Sequence, residues 1–131
     1  MSFANYWENE ILDHIFDKGS YTAPSNIYVG LSAADPLDDA SGLSEPSGGS
    51  YARVQTSPAD WNAASGGSIT NASRVTFTQS TAVWGTMTHA CLFDAVSGGN
   101  LLACGPLSAP AQVLNVNTCY FEINNIEVTL T

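Results

Sequence analysis

From Ile27 onward the sequence consists of short runs in which apolar and polar residues alternate, separated by Gly, Pro and Ser. A period of two puts successive side chains on opposite faces of a strand, as in antiparallel sheets with one buried face. The pattern predicts a mainly β fold, an antiparallel, jelly-roll-like β-sandwich of about eight strands. The predicted strands cover residues 27–32, 51–57, 74–78, 87–94, 100–105, 112–116, 118–123 and 126–130.

The last two predicted strands form a hairpin in which alternation assigns every side chain to a face. Tyr120, Glu122, Glu127 and Thr129 are expected to face outward. The side chains expected to point into the core are those of Cys119, Phe121, Ile123, Ile126, Val128 and Leu130.

Three Ser-Gly-Gly triplets, at residues 47–49, 65–67 and 97–99, mark turns. Paired glycines supply the positive φ angles that tight hairpin turns require. The clearest case is the third triplet, which predicts a hairpin turn between Asp94 and Asn100. No triplet resembles a phosphate-binding loop, because none is followed by Lys and a helix.

The first twenty residues follow a different period. Phe3, Trp7, Ile11 and Ile15 recur every four positions, and Leu12 and Phe16 widen the apolar stripe, which predicts an amphipathic helix of about three turns. Asn5 and Glu8 resemble a capping box, and Gly19 is a C-terminal stop signal. The chain is therefore predicted to be a single domain, 1–131, with a helix in residues 1–20 and a β-sandwich in residues 24–131.

The aromatic residues allow two interpretations. Phe3, Tyr6 and Trp7 either close one end of the sandwich core or anchor a neighbouring subunit, since Trp and Tyr are enriched at the centres of interfaces. Trp61 either plugs the sandwich or stacks on a partner or a sugar, whereas Trp84, which introduces a strand, is expected to be buried. The predicted interface residues are Phe3, Tyr6, Trp7, Ile11 and Trp61.

Charge limits the partners. Only 11% of residues are charged, with 12 acidic against 3 basic residues and a formal net charge of −9. Affinity for nucleic acid, or for an anionic membrane, depends on Lys and Arg, so both partners are excluded from the prediction. A charge-poor surface rich in Ser, Thr, Asn and Gly favours either a domain covered by an assembly or a face that binds neutral glycans.

The chemically reactive residues are few and scattered. His14 and His89 lie on different elements, no Ser lies in a nucleophile motif, and the acidic loop 35–42 lacks the spacing of a calcium-binding loop. The three cysteines lie in apolar stretches and are expected to be buried free thiols. We therefore expect no enzymatic activity, no cofactor and no metal site. Because the chain starts without a basic and apolar leader, synthesis in a cytosol is expected.

Four segments resemble a family of small tailed-bacteriophage virion proteins, commonly labelled tail fibre or minor structural proteins. They are NYWENEILDHIF (5–16), IYVGLSAADP (27–36), GSYAR (49–53) and WGTMTH (84–89). The resemblance runs nearly end to end and is weaker in residues 110–125. It implies a structural component of the phage particle that is assembled in the host bacterial cytoplasm, and it carries no catalytic or cofactor residues.

Physical arguments predict the position in the particle. A compact sandwich without a heptad or a repeated β-element has nothing with which to build a shaft. We therefore predict a capsid decoration, or cement, protein on the outer surface of the virion. It would form a homo-oligomer, specifically a trimer, that bridges subunits of the major capsid protein. The alternative is a tail fibre or tail-associated module that binds tail proteins and recognises surface polysaccharide on the host.

Overall fold

The computed structural model describes residues 1–130 and is mainly β, with antiparallel sheets and a single α-helix near the N-terminus, which confirms the predicted fold class. Nine strands are present in this part of the chain, and two of them, β1 and β4, were not predicted. The elements are β1 (Ser2–Phe3), α1 (Asn5–Ile15), β2 (Ile27–Ser32), β3 (Val54–Thr56), a 3₁₀ helix (Pro58–Asp60), β4 (Ser68–Thr70), β5 (Val75–Thr76), β6 (Gly85–Phe93), β7 (Leu101–Val113), β8 (Tyr120–Phe121) and β9 (Glu127–Thr129).

The larger layer is a five-stranded antiparallel sheet with the strand order β1-β7-β6-β2-β3. Its central pair, β6 and β7, is joined by the predicted hairpin turn. Gly98 and Gly99 adopt φ angles of 63° and 68° there. The carboxylate of Asp94 closes the turn by accepting hydrogen bonds from the backbone N–H and the side-chain amide of Asn100, at 2.7 and 2.8 Å.

The long strand β7 replaces the two strands predicted at residues 100–105 and 112–116, so that division was wrong. Pro106 and Pro110 interrupt the alternation, which is why the sequence suggested a loop between two strands. In the structure β7 continues through this region, and a shift in its register with β6 accommodates the two prolines. Met87 lies opposite Ala111, whereas His89 lies opposite Pro106, so two positions along β6 correspond to five along β7.

The smaller layer consists of the pairs β4·β9 and β5·β8. The predicted hairpin between the last two strands is therefore wrong, because each pairs with an earlier strand. Asn71 is fully buried between the two pairs. Its amide donates to the carbonyls of Ser73 and Glu122, and its Oδ1 accepts from the Ile126 N–H, each at 2.8 Å. These bonds satisfy backbone groups in the gap between the two strand pairs. The four strands therefore form one two-stranded ribbon, with β4 and β5 along one side and β8 and β9 along the other.

Most of the side chains predicted to face inward along this ribbon do so, but two do not. Ile123 is 53% exposed because it lies in the turn before Asn124, whose φ is 66°. Leu130 is 59% exposed because it follows the end of β9. The residues that face inward as predicted, buried or half-buried, are Cys119, Phe121, Ile126 and Val128.

The helix has the predicted length of about three turns, but its N-terminus is built differently. Ala4, not Asn5, is the N-cap, and no side chain caps the helix, so the predicted capping box was wrong. The Ala4 N–H donates instead to the Leu102 carbonyl at 2.8 Å, which draws the preceding residues into the sheet as β1. The helix ends at Ile15, before the predicted stop at Gly19. Within residues 1–130, no helix has the length and apolar character needed to cross a membrane.

The main core lies between the sheet and the ribbon. Trp84 is 8% exposed, as expected, and its indole N–H donates to the Gly49 carbonyl at 2.8 Å. Phe77 packs near its ring at 6.4 Å between centroids. Met1 ties the two layers together at one edge, because its carbonyl accepts the Thr129 N–H at 3.0 Å while Ser2 pairs with β7. The N-terminal segment is thus an integral part of the sandwich.

Candidate interaction surface

Three of the five predicted interface residues, Phe3, Trp7 and Trp61, line one cavity of about 230 Å³ beneath the start of the helix. Its lining is entirely apolar, so water inside it would have no hydrogen-bonding partners. We call this cavity the aromatic groove. Its remaining lining residues are Ile27, Ile69, Leu92 and Val128.

The helix side of the aromatic groove is held in place by aromatic contacts. Phe3 pairs with Ala103 in the sheet, and its ring lies 4.9 Å from that of Trp7 between centroids. The Trp7 indole N–H donates to the Tyr21 hydroxyl at 2.7 Å. The Tyr6 ring meets the Tyr21 ring edge-on, at 6.4 Å between centroids. Burial raises the pKa of Tyr21. The segment after the helix therefore folds back over it and fixes these rings.

The opposite wall of the groove is Trp61, which follows the short 3₁₀ helix. Its indole N–H donates to Thr56 Oγ1 at 2.9 Å, leaving the ring half-buried. The 3₁₀ helix is closed by a capping box in which the Asp60 carboxylate accepts from the backbone N–H of Ser57 at 2.8 Å. This bond, with further hydrogen bonds from serine side chains, lowers the pKa of Asp60. The hydrogen bond to Thr56 and the capped 3₁₀ helix before it thus set the position of the Trp61 ring.

The aromatic groove opens into a second cavity of about 290 Å³ that is more polar. The two cavities share Ile27, Trp61 and Ile69. Asn62 lies at this mouth, and its amide donates to Thr70 Oγ1 at 3.0 Å and to Asn124 Oδ1 at 3.1 Å. The other residues of the mouth are Pro24, Ser25, Ser57 and Pro58.

A second apolar feature lies on the outer half of the helix. Leu12, Ile15 and Phe16 are 54%, 66% and 69% exposed, and their spacing places them on one side of the helix. We call these three residues the helix ridge. They belong to the stripe seen in the sequence, but they were not among the predicted interface residues. Their spacing in the sequence indicates that they lie on one face of the helix. Only the packing of the helix against the domain shows which part of that face is exposed.

Tyr6 and Ile11, the other predicted interface residues, are half-buried. Tyr6 contacts the main core as well as Tyr21. The inner half of the helix therefore rests on its own domain, and the predicted contacts of these residues with a neighbouring subunit remain a prediction.

A larger cavity, of about 460 Å³, lies along the second half of β7 near Met1 and Tyr120. Pro106 and Pro110 have no N–H groups, so β7 offers no donor to an added strand at these two positions. None of the predicted interface residues lines this cavity. The aromatic groove and the helix ridge are therefore the candidate surface.

The histidines and the acidic loop are engaged in local structure. His14 Nδ1 accepts the Tyr21 N–H at 3.3 Å, and His89 lies 3.9 Å from an oxygen of Asp35. Asp35 and Asp39 also accept backbone N–H groups two residues further on, at 3.0 and 2.9 Å. Among residues 1–130 no group of three or more His, Cys, Asp or Glu side chains is placed to hold a metal ion.

The three cysteines are free thiols, as expected from the sequence. Cys91 and Cys104 are buried opposite each other on β6 and β7, and Cys119 is half-buried. Burial raises the pKa of all three thiols. Since the thiolate is the nucleophile, a raised pKa lowers the reactivity of these thiols.

The fold and its surface define a small antiparallel β protein that presents a fixed aromatic groove and an exposed apolar ridge. The sequence model of the family described as Podophage GP4 fiber I protein gp80 matches residues 2–129. The chain belongs to this family of phage fibre-type structural proteins, which confirms the resemblance seen in the sequence. No curated protein matches the chain.

Proposed function

We propose that the protein is a non-enzymatic, tail-associated structural subunit of the phage particle, attached to its neighbours through the helix and the aromatic groove. One observation carries this proposal. The apolar stripe of α1 continues past the part that rests on the domain, leaving Leu12, Ile15 and Phe16 exposed. Exposed, contiguous apolar side chains mark interaction sites in soluble domains. The family description, a fibre protein, supports the tail position.

Capsid decoration is the second candidate position, and the compactness of the fold favours it. The described chain has no heptad or repeated β-element from which a fibre shaft could be built, while a compact sandwich can bridge neighbouring capsomers. In this alternative the protein lies on the outer surface of the shell and contacts the major capsid protein.

Counting copies in purified particles tests both positions. A tail component is expected in about a dozen copies, while a decoration protein that follows the icosahedral lattice is expected in roughly hundreds. Quantitative mass spectrometry against the major capsid protein, with a map of the particle, supplies the count and the location. Absence of the protein from purified particles would contradict the structural role itself.

Homo-oligomerisation, specifically a trimer, is a separate proposal. Its support is the aromatic groove, because Phe3, Trp7 and Trp61 form an apolar cavity that a side chain from a second copy could fill. Light scattering of the purified protein tests it directly. A monomer at every concentration measured would contradict it.

Recognition of host polysaccharide is a further candidate, favoured by the mouth of the groove. Trp61 offers an aromatic face beside the side chains of Asn62, Ser25 and Ser57, the combination on which sugar rings stack and hydrogen-bond. Glycan-array binding and phage adsorption should both fall in Trp61→Ala. Tyr120→Ala is the matched control, because Tyr120 is a 51% exposed aromatic that does not line the groove. Unchanged adsorption in Trp61→Ala would eliminate this candidate.

A further inference from the structure

The apolar stripe of α1 is wider than the surface on which the helix rests. Trp7 faces the domain and lines the aromatic groove. Each residue of an α-helix is rotated by about 100° from the one before it. The helix ridge therefore lies further around the same apolar stripe and extends past the edge of the domain. No residue of the helix is fully buried. The sequence thus maintains an apolar side that the described fold only half covers.

The surroundings of the helix ridge are acidic. Glu8, Asp13 and Asp17 are exposed on the same helix and at its end. The chain has only three Lys and Arg residues against twelve acidic ones. Basic side chains on an approaching molecule would therefore meet complementary charges at the rim of the ridge.

Within residues 1–130, Lys18, which lies just after the ridge, is the one basic side chain that this chain could offer. Arg53 is buried and paired with Glu45 at 2.6 Å, and Arg74 is paired with Glu122 at 2.5 Å. Among residues 1–130, Lys18 is the one Lys or Arg that forms no ion pair. A second copy at the ridge would therefore place two acidic helices side by side, with like charges opposing the contact.

We propose that the helix ridge, Leu12, Ile15 and Phe16, docks a basic, amphipathic segment of a different protein of the particle, and not a second copy of this chain. This inference rests on the proposed structural function and specifies the chemistry of the partner. The ridge supplies the apolar centre of the interface, and the carboxylates supply its polar rim. A typical interface covers about 800 Å² per partner, so the contact extends from the ridge onto neighbouring residues.

Site-specific photo-crosslinking in assembled particles identifies the occupant. A photoreactive amino acid at position 15, in phage that carry the full-length chain, should crosslink to a peptide of another virion protein that contains Lys or Arg beside apolar residues. The same reagent at Val83 is the control, because Val83 is 62% exposed and precedes β6 at the end of the sheet away from the helix. A crosslink from position 15 to this same chain, or to an acidic peptide, would overturn the proposal.

Variant phage provide the second test. Ile15→Ser/Phe16→Ser should reduce the copies per particle at least tenfold, since truncating residues at the centre of an interface typically costs a factor of this size. Val83→Ser/Val116→Ser is the matched control, because both valines are more than 60% exposed, and it should assemble like the wild type. Both purified variants should melt within about 2 °C of the wild type, since none of the four side chains is buried.

A charge variant tests the rim. Asp13→Asn/Asp17→Asn keeps the ridge, and Asn tolerates the left-handed φ of 56° at position 17. It should lower incorporation several-fold in competition with wild-type protein. Wild-type incorporation of both the ridge variant and the charge variant would overturn the ridge proposal and leave the structural role intact. Absence of even the wild-type chain from particles would instead remove the structural role.

Discussion

The two halves of the helix should respond differently to truncation. Trp7 packs on Phe3, lines the aromatic groove and donates to Tyr21 at 2.7 Å. Complete burial of a Trp is worth about 3–5 kcal/mol over Ala, so a half-buried ring is worth roughly 2 kcal/mol, and the hydrogen bond adds about 0.5–1 kcal/mol. Trp7→Ala should therefore destabilise the protein by about 2.5 kcal/mol. Phe16 is 69% exposed, and Phe16→Ala should cost less than about 0.5 kcal/mol.

Thermal unfolding followed by far-ultraviolet circular dichroism measures both variants. With an unfolding entropy of about 2.1 cal/mol/K per residue, the chain of 131 residues should lose roughly 9 °C in Tm for Trp7→Ala and under about 2 °C for Phe16→Ala. Trp7→Phe keeps a ring without the indole N–H and should fall between them. Equal losses in Trp7→Ala and Phe16→Ala would refute the reasoning, because the ridge would then be part of the folded core.

Three further predictions concern the interior. Arg53→Met should cost about 3–5 kcal/mol in urea unfolding, because it leaves the partly buried Glu45 carboxylate unpaired, and adding Glu45→Gln should recover part of the loss; full additivity of the two changes would contradict the pairing. Asn71→Ala should cost roughly 2–3 kcal/mol, because the buried Ile126 N–H and two part-buried carbonyls lose their partner; a change within ±0.5 kcal/mol would refute its role in joining the ribbon. Because burial raises the pKa of all three thiols, Ellman's reagent at pH 8 should modify the native protein slowly and release three equivalents in denaturant; rapid modification of the native protein would contradict their burial.

The local patterns of the sequence predicted the fold class and several of its parts. Alternation in residues 27–32 corresponds to β2, and the third Ser-Gly-Gly triplet forms the turn between β6 and β7. These features depend on neighbouring residues alone, so they are readable from a short window. The capping box predicted from Asn5 and Glu8 does not form, and the reason is a contact with a residue far away in the sequence. The Ala4 N–H pairs with Leu102, about one hundred positions away, and this pairing overrides the local preference of Asn5.

The strand partners were also decided at long range. The final two strands have the alternation of a hairpin, yet each pairs with a strand more than forty residues earlier. The side chain of Asn71 makes that arrangement possible by satisfying the backbone at the break. A polar residue with this role cannot be distinguished in sequence from an ordinary loop Asn.

The apolar alternation and the helical stripe, read from the sequence alone, determined that this chain is an antiparallel β domain with one amphipathic helix and almost no basic surface. Only the tertiary structure brought Phe3 and Trp7 together with Trp61 and left Leu12, Ile15 and Phe16 exposed. The physical reason is that periodicity reports which side of an element is apolar. How much of that side is covered depends on where the rest of the chain packs.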